Sequence, residues 1–289
     1  MTTSSPFSIL SYNTYCMSPL INKTTKIRRP LIASALLELD EHEQPDIICL
    51  QEAFNESTIA IFKEILFPIY PHFATPPTCK WFQASSGLFI ASKHEIVESQ
   101  FEPFKNLVGS DSWSKKGFLR ARIKFNGSTY INVVNTHLQA DPDTAPCWWI
   151  RDGMARAVKS RLQNVNEILA SIEICREKNE ITFVAGDFND SEISYEKLGT
   201  DSYKFCNNMK DKNSRRKSST SGPAVSNLGS WSNEKPDFSE RLDFIFVVRE
   251  FENGEKVKVQ ASKVFHKIFV DSRGQDLSDH LPLLSSFYF

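Results

Sequence analysis

The sequence predicts an α/β protein built around two packed β-sheets. Three observations lead there. Short apolar runs alternate with longer helical patterns along the chain. Several of those runs are apolar at almost every position, as strands covered on both faces are, "IICL" at Ile47–Leu50 being the clearest. No internal repeat and no linker-like composition shift divides the 289 residues, so 1–289 reads as a single domain.

"FSILSYN" is a first strand ending at Asn13. "KTTKIRRPLIASALLELDEH" is helical, with Pro30 either in its first turn or as a break. "PDIICLQEA" holds a strand too short and too apolar for a surface helix, and Glu52 sits just past its end. "STIAIFKEIL" is a helix with Ser57 as its N-cap. "SGLFIAS" is a strand, and "GFLRARIKF" with "GSTYINVVNTH" forms a hairpin turning at Asn126-Gly127. Between Trp148 and Cys175, the residues Met154, Val158, Leu162, Val165, Leu169 and Ile172 recur at steps of three and four, the mark of a long amphipathic helix. "ITFVAGDFND" is a strand running into a loop, and "RLDFIFVV" and "LPLLSSFYF" are late strands. From about 207 to 235 the chain is polar, a long loop.

Hydrophobic residues make up 40% of the chain, enough for a substantial core and against global disorder. The formal net charge of −1 gives no global signature of nucleic-acid binding and argues against such a partner, although a local basic patch could suffice. The six cysteines (Cys16, Cys49, Cys79, Cys147, Cys175 and Cys206) show no CxxC spacing and no disulfide pattern, which points to a reducing compartment, with Cys49 a buried thiol. The start shows no signal peptide and no stretch reaches transmembrane length. A cytoplasmic, monomeric protein peripheral to membranes is the expectation, with export left open.

Several of the apolar strands end in an unusual polar group: Asn13, Glu52, His137, Asp187 with Asn189, Asp243, and the pair Asp279-His280. Each alone reads as a turn residue or a satisfied structural side chain. Together they suggest one cleft at the strand ends. Oxygen and imidazole donors without cysteine suit a hard cation such as magnesium. A hard cation with two histidines suits phosphate-ester hydrolysis, the cation holding phosphate oxygens and an imidazole taking a proton from water.

The motifs "SYNT", "PDIICLQE", "NTHLQA", "GDFN", "RLDFIF" and "SDHLPL", from residue 11 to 282, resemble in kind and order those of the DNase I-like endonuclease/exonuclease/phosphatase superfamily. The resemblance implies a four-layer α/β sandwich, two face-to-face mixed β-sheets flanked by helices. "THLQA", "KKGFLRARI" and "GLFIASKHEI" resemble the neutral sphingomyelinase branch. That branch implies a magnesium-dependent phosphodiesterase cleaving sphingomyelin to ceramide and phosphocholine, with manganese or cobalt as substitutes in vitro. A metal-dependent nuclease or another phosphodiesterase or phosphatase of the superfamily is the alternative, and a catalytically dead binding module is opposed by the intact polar set.

By resemblance, Glu52 is the main metal ligand, with Asn13 beside it directly or through water and Asp279 a ligand or a carboxylate just behind. His280 is the general base, Asp243 its orienter, and His137 the donor to a phosphate oxygen or leaving alkoxide. Asp187 and Asn189 position water and phosphate. Lys116 either lies near the phosphate or is a solvated surface lysine beside Lys115, and Asp111 could pair with it as a regulatory switch. Some relatives orient the histidine matching His137 with an acid just before the strand matching "SGLFIAS". Here the stretch is "WFQASSG", so the sequence supplies no orienter. For membrane contact, Trp148, Trp149 and Ile150 could insert at headgroup depth or begin the long helix and pack in the core. "LFPIYPHF" is a second apolar candidate, and "SRRKS" could meet anionic lipid or be solvated.

Overall fold

The computed structural model describes residues 6–18, 22–77, 85–141, 147–177, 180–190, 195–207, 219–221, 226, 228, 239–248, 257–266 and 268–288. One six-stranded sheet combines β1 (Phe7–Asn13), β2 (Ile47–Gln51), β3 (His72–Ala74), β4 (Phe89–Ser92), β11 (Lys258–Val264) and β12 (Leu283–Tyr288), in the spatial order β11-β12-β1-β2-β4-β3. The second combines β5 (Ile96–Pro103), β6 (Gly117–Asn126), β7 (Thr129–His137), β8 (Ile181–Asp187), β9 (Thr200–Asp201) and β10 (Asp243–Val247), in the order β5-β6-β7-β8-β10-β9. The two share one plan. A parallel pair lies at the centre, β1 with β2 and β7 with β8. Every other neighbouring pair is antiparallel.

Alternation along each strand sorts the side chains into layers. Phe7 and Ile9, Ile47 and Cys49, Ile131 and Val133, Phe183 and Ala185, and Ile245 and Val247 meet between the sheets. The alternate residues Leu10, Tyr12, Ile48 and Leu50 face α1 (Thr25–Leu37) and α2 (Glu56–Leu66) on the outside of the first sheet. Val134, Val184, Phe244 and Phe246 face α3 (Cys147–Glu177) on the outside of the second. This is the expected four-layer sandwich, and it explains why "IICL" is buried on both faces.

The same alternation positions the site. The inward-facing series does not stay apolar: it runs Phe7, Ile9, Ser11, Asn13 on β1 and Ile47, Cys49, Gln51 on β2. It runs Ile131, Val133, Asn135, His137 on β7 and Phe183, Ala185, Asp187 on β8. The carboxyl ends of both parallel pairs therefore turn polar at one rim of the sandwich. Asp243 opens β10 directly opposite Asp187, and His280 precedes β12, which runs antiparallel to β1, so both arrive at the same rim.

Three local expectations are corrected. Pro30 neither starts nor breaks α1; the helix runs through it, because the cost is one missing backbone bond while Ile32, Ala33 and Leu36 stay buried on the sheet. The N-cap of α2 is Asn55, not Ser57: Asn55 is extended and its side chain accepts from the Thr58 amide at 3.0 Å. In α3 the expected stripe holds only in the second half, where Val165 and Ile172 are buried with Ile168. In the first half Met154 and Leu162 are 40% and 46% exposed, and Ala157, Ser160, Arg161 and Asn164 face inward. Polar anchors to neighbouring loops claim that face: Ser160 donates to the Asn106 carbonyl and Asn164 accepts from the Gln139 amide.

The β6–β7 hairpin turns at Gly127, φ 51°, as its sequence requires. Among the described residues Cys16, Cys49, Cys175 and Cys206 are free thiols, and no helix is long and apolar enough to cross a membrane. The backbone of Trp148–Ile150 lies in α3, but their side chains fall outside the described residues, as does Ser214–Ser218. In "LFPIYPHF", Tyr70 is buried with its hydroxyl on the Pro45 carbonyl, whereas Phe67 is exposed.

Candidate active site

The rim gathers the predicted polar residues around one carboxylate, Asp187. Its Oδ2 lies 3.5 Å from His137 Nε2 and 3.7 Å from His280 Nε2, and accepts from Asn13 Nδ2 at 2.8 Å. Its Oδ1 accepts from the Asn189 amide at 2.9 Å. Asn13 Nδ2 also donates to Glu52 Oε1 at 3.0 Å. Asn13 thus bridges the carboxylates of the two sheets. Its own Oδ1 is turned away and accepts from the Tyr15 amide at 3.0 Å. Asn13 thus presents a donor to the cluster, and its oxygen is committed to the backbone.

The chain leaves the rim through strained turns. Tyr15, Glu52 and Asn189 all have positive φ, at 49°, 59° and 52°. Non-glycine residues adopt that region only where surrounding structure enforces it. For Glu52 the enforcement is visible, since the Ala53 amide donates to the Gly87 carbonyl and a Cβ on Gly87 would stand 3.0 Å from the Glu52 Cα. Between β7 and β8 a Cβ on Gly186 would sit 2.0 Å from the Thr136 carbonyl oxygen, so only glycine lets the strands close up just before the His137–Asp187 pair.

His280 is held from behind, its Nδ1 2.7 Å from Asp243 Oδ2. Asp243 is completely buried, and its amide and that of Leu242 both donate to Thr220 Oγ1 at 3.1 Å. His137 is held differently. Its Nδ1 has no hydrogen-bond partner among the described residues, in keeping with the missing acid of "WFQASSG", of which residues 81–84 lie outside the description. Its Nε2 meets Lys116 Nζ at 3.1 Å.

Lys116 is not a surface lysine. It is 3% exposed, pairs with Asp111 at 2.9 Å and donates to the Leu138 carbonyl at 3.0 Å. Asn189 Nδ2 donates to the same carbonyl at 2.9 Å. Asp279 stays close enough to raise Glu52 electrostatically but belongs to neither tight group of possible ligands among the described residues, which are Glu52, His137 and Asp187, and Asp187, Asp243 and His280.

These surroundings set the charges. Burial, with the Lys116 ammonium second, pushes His137 down to about 3, so its imidazole is neutral. Burial alone would also lower His280, but Asp243 and Asp187 outweigh it and hold the imidazolium well above its ordinary range. Burial would raise Asp187, and the two histidines outweigh that and hold it low. Glu52 is raised to about 7 by desolvation and by the charge of Asp279. Carboxylates desolvated together on one side of a cleft, with oxygen and imidazole donors, fit a hard divalent cation.

Four side chains to which the sequence assigned no role complete the support. Gln139 pairs with Val108, accepting its amide at 2.7 Å and donating to its carbonyl at 3.1 Å. That ties the "THLQA" loop to the segment leading to Asp111 and Lys116. Arg161, 2% exposed, donates to the Gln139 carbonyl and pairs with Asp141 at 2.7 Å and Asp190 at 2.8 Å, joining the loops that follow His137 and Asp187. Gln51 and Asn135 form a layer beneath the site, joined at 2.8 Å. For those two a signal was present, a polar side chain at an inward position of a buried strand; for Arg161 the helical stripe pointed to the wrong face.

The Endonuclease/Exonuclease/phosphatase family matches residues 10–280. Sphingomyelinase C of Listeria ivanovii is 29% identical over 96% of this chain and 85% of its own length. Among solved structures, beta toxin from Staphylococcus aureus with bound magnesium ions superposes with a TM-score of 0.66 at 20% identity, over 97% of this chain and 99% of that one. TDP2 from D. rerio complexed with single strand DNA product gives 0.67 at 17% identity, over 99% and 100%. At those identities the two structures share the fold.

Proposed function

Because this chain belongs to the endonuclease/exonuclease/phosphatase family, and is a hydrolase of phosphodiester type, we propose that it is a magnesium-dependent sphingomyelin phosphodiesterase releasing ceramide and phosphocholine. The observation that carries the chemistry is a single carboxylate, Asp187, flanked by two imidazoles at 3.5 and 3.7 Å, one backed by Asp243 and the other by Lys116. The choice of sphingomyelin rests on similarity to the Listeria sphingomyelinase C along nearly the whole chain.

Glu52 is the principal ligand of the cation, with Asp187 and Asp279 close by and Asn13 steering the two carboxylates. When bound, the cation would hold phosphate oxygens, offset charge developing on them and cancel part of the carboxylate field that keeps His280 protonated. Asp243 accepts the Nδ1 proton of His280, which leaves Nε2 facing the cleft to take a proton from water as the water oxygen attacks phosphorus. The imidazolium so formed is stabilised by Asp243 and Asp187. On the other side, Lys116 and His137 share a proton across 3.1 Å and deliver it to the leaving ceramide alkoxide. Asn189 and the Leu138 carbonyl fix the loop on which His137 sits. Trp148, Trp149 and Ile150, at the start of α3, make peripheral contact with the lipid surface.

The test is a substrate panel of sphingomyelin, phosphatidylcholine, single-stranded RNA and abasic DNA, each with magnesium or chelator. Phosphocholine release from sphingomyelin, abolished by chelation and restored by magnesium, is expected. Cleavage of nucleic acid alone would replace the reading with a nuclease. Trp148→Ala with Trp149→Ala should weaken vesicle sedimentation yet spare a soluble short-chain substrate; unchanged sedimentation removes that surface from the proposal.

A further inference from the structure

One layer below the rim, the two sheets are joined by a pair of amides that plays no part in the chemistry above. Gln51 and Asn135 are both fully buried. Gln51 Nε2 donates to Asn135 Oδ1 at 2.8 Å, with the Cys49 carbonyl at 3.2 Å and Ser11 Oγ at 3.3 Å as further acceptors. Asn135 Nδ2 donates to the carbonyls of Leu50 at 2.8 Å and Phe89 at 3.0 Å. Main-chain carbonyls accept only, so they fix the orientation of both amides. Leu50 and Phe89 form the last pair of the β2–β4 ladder, so Asn135 of the second sheet grips the first sheet where its ladder ends.

The position of this bridge is what matters. Gln51 immediately precedes Glu52, and Asn135 stands two residues before His137 on the same inward-facing series. The bridge is therefore the nearest inward-facing tie beneath the point where Glu52 from one sheet must share a cluster with His137 and Asp187 from the other. It also carries a cost, since Gln51 Oε1 is buried without a partner among the described residues. Two apolar side chains of similar volume would fill the layer without the Gln51 acceptor, as they do in the layer below.

We propose that the Gln51–Asn135 bridge is a positioning device: it sets the separation of the two half-sites, and so the fit of the cation and the alignment of the attack, rather than the stability of the fold. This rests on the metal-dependent reading given above. Positioning residues that hold a constellation to within fractions of an ångström govern rate far more than folding.

The test uses the full chain with Gln51→Leu and Asn135→Leu combined, and separately Gln51→Met, which leaves both Asn135 bonds to the first sheet in place. Magnesium affinity is measured by calorimetry, melting temperature in chelator, and kcat and KM on sphingomyelin in mixed micelles. Replacing both partners of the Gln51–Asn135 bond is close to neutral for that bond, while the Leu50 and Phe89 carbonyls lose the Asn135 donor. The double variant should therefore melt within about 10 °C of wild type, bind magnesium at least about tenfold more weakly and lose at least about tenfold in kcat with KM moved less. Gln51→Met should shift affinity and kcat in the same direction by a smaller factor. Wild-type affinity and kcat in the double variant would overturn the proposal. So would a melting temperature that falls in step with affinity, which is the signature of a plain structural tie. Should the double variant fail to fold, Gln51→Met decides alone, unchanged affinity being the adverse result. Wild-type protein that binds magnesium but spares sphingomyelin would sink the substrate reading and leave the metal comparison intact; wild-type protein that binds no magnesium would overturn both.

Discussion

His137 and His280 stand on either side of the same carboxylate oxygen, 3.5 and 3.7 Å away, and are held in opposite charge states. Both are buried, so desolvation presses both towards neutrality. What separates them is the partner behind or beside the ring. His280 has a carboxylate on its far nitrogen, and His137 has no partner on its far nitrogen among the described residues and an ammonium at the near one. Histidine charge in a shared pocket is thus set by second contacts rather than by the pocket itself. Under the proposed mechanism the two roles follow from this difference: His280 can store a proton, whereas His137 can only pass one on.

The comparison can be broken most severely at His280. His280→Ala should cost roughly three orders of magnitude or more in kcat, since base and positioning effects are lost together. His137→Ala, with Lys116 still beside the leaving group, should cost less. Stopped-flow or steady-state turnover on sphingomyelin checks the order, and equal losses would mean that the two sites are not differentiated as described.

Asp243→Asn comes next. The fold should persist, but the amide can donate to Nδ1 and so favour the tautomer that places the proton on Nε2. A drop of roughly two to four orders in kcat is expected, with KM moved little. Turnover near wild type would release Asp243 from its role.

Lys116→Met should sharpen the contrast. Removing the ammonium takes away the second of three causes holding His137 down, after burial and before His280, so its imidazole should titrate at higher pH by NMR, while His280 stays where it is. A fall in kcat of about ten- to a hundredfold is expected, in the range of lost acid assistance. An unmoved His137 titration would show that Lys116 does not govern that ring.

The smallest effect is on stability against pH, measured by urea unfolding in chelator. The folded-state value of His137 is depressed to about 3 from an ordinary value near 6.5. Between those values the unfolded chain binds a proton that the folded chain does not, so stability falls as pH falls from about 6.5 towards 3. His280 has the opposite sign, its folded-state value being raised. Its contribution is full below the unfolded value and is lost as pH rises through the folded one. His137→Gln should flatten the loss between about 6.5 and 3, and His280→Gln should flatten the loss that sets in as pH rises above about 6.5. Parallel curves for the two variants would contradict the charge assignment.

Much of the scaffold was legible because it depends on neighbours along the chain. β1, β2, β7, β8 and β10 were readable from short apolar runs, the β6–β7 hairpin from Asn126-Gly127, and the rim residues from their places at strand ends. Alternation is a property of two or three consecutive residues, and it carries straight from sequence into the inward-facing series that ends in Asn13, His137, Asp187 and Asp243. The α3 stripe failed in its first half because periodicity registers hydrophobicity alone. It has no means of knowing that Arg161 finds Asp141 and Asp190 on the side where an apolar residue was expected.

What the sequence determined by itself, then, is which residues line the rim. Only the tertiary structure decided which of them meet and in what state. The Asn13 amide faces two carboxylates because β1 and β8 lie in apposed sheets, and Lys116 is buried because the Gln139 clamp and Asp111 draw its segment onto the "THLQA" loop. The physical reason is range. Backbone conformation and facing are fixed within a few residues, whereas desolvation, charge and hydrogen-bond partnership are sums over groups tens to hundreds of positions apart, which only the folded chain brings within 4 Å.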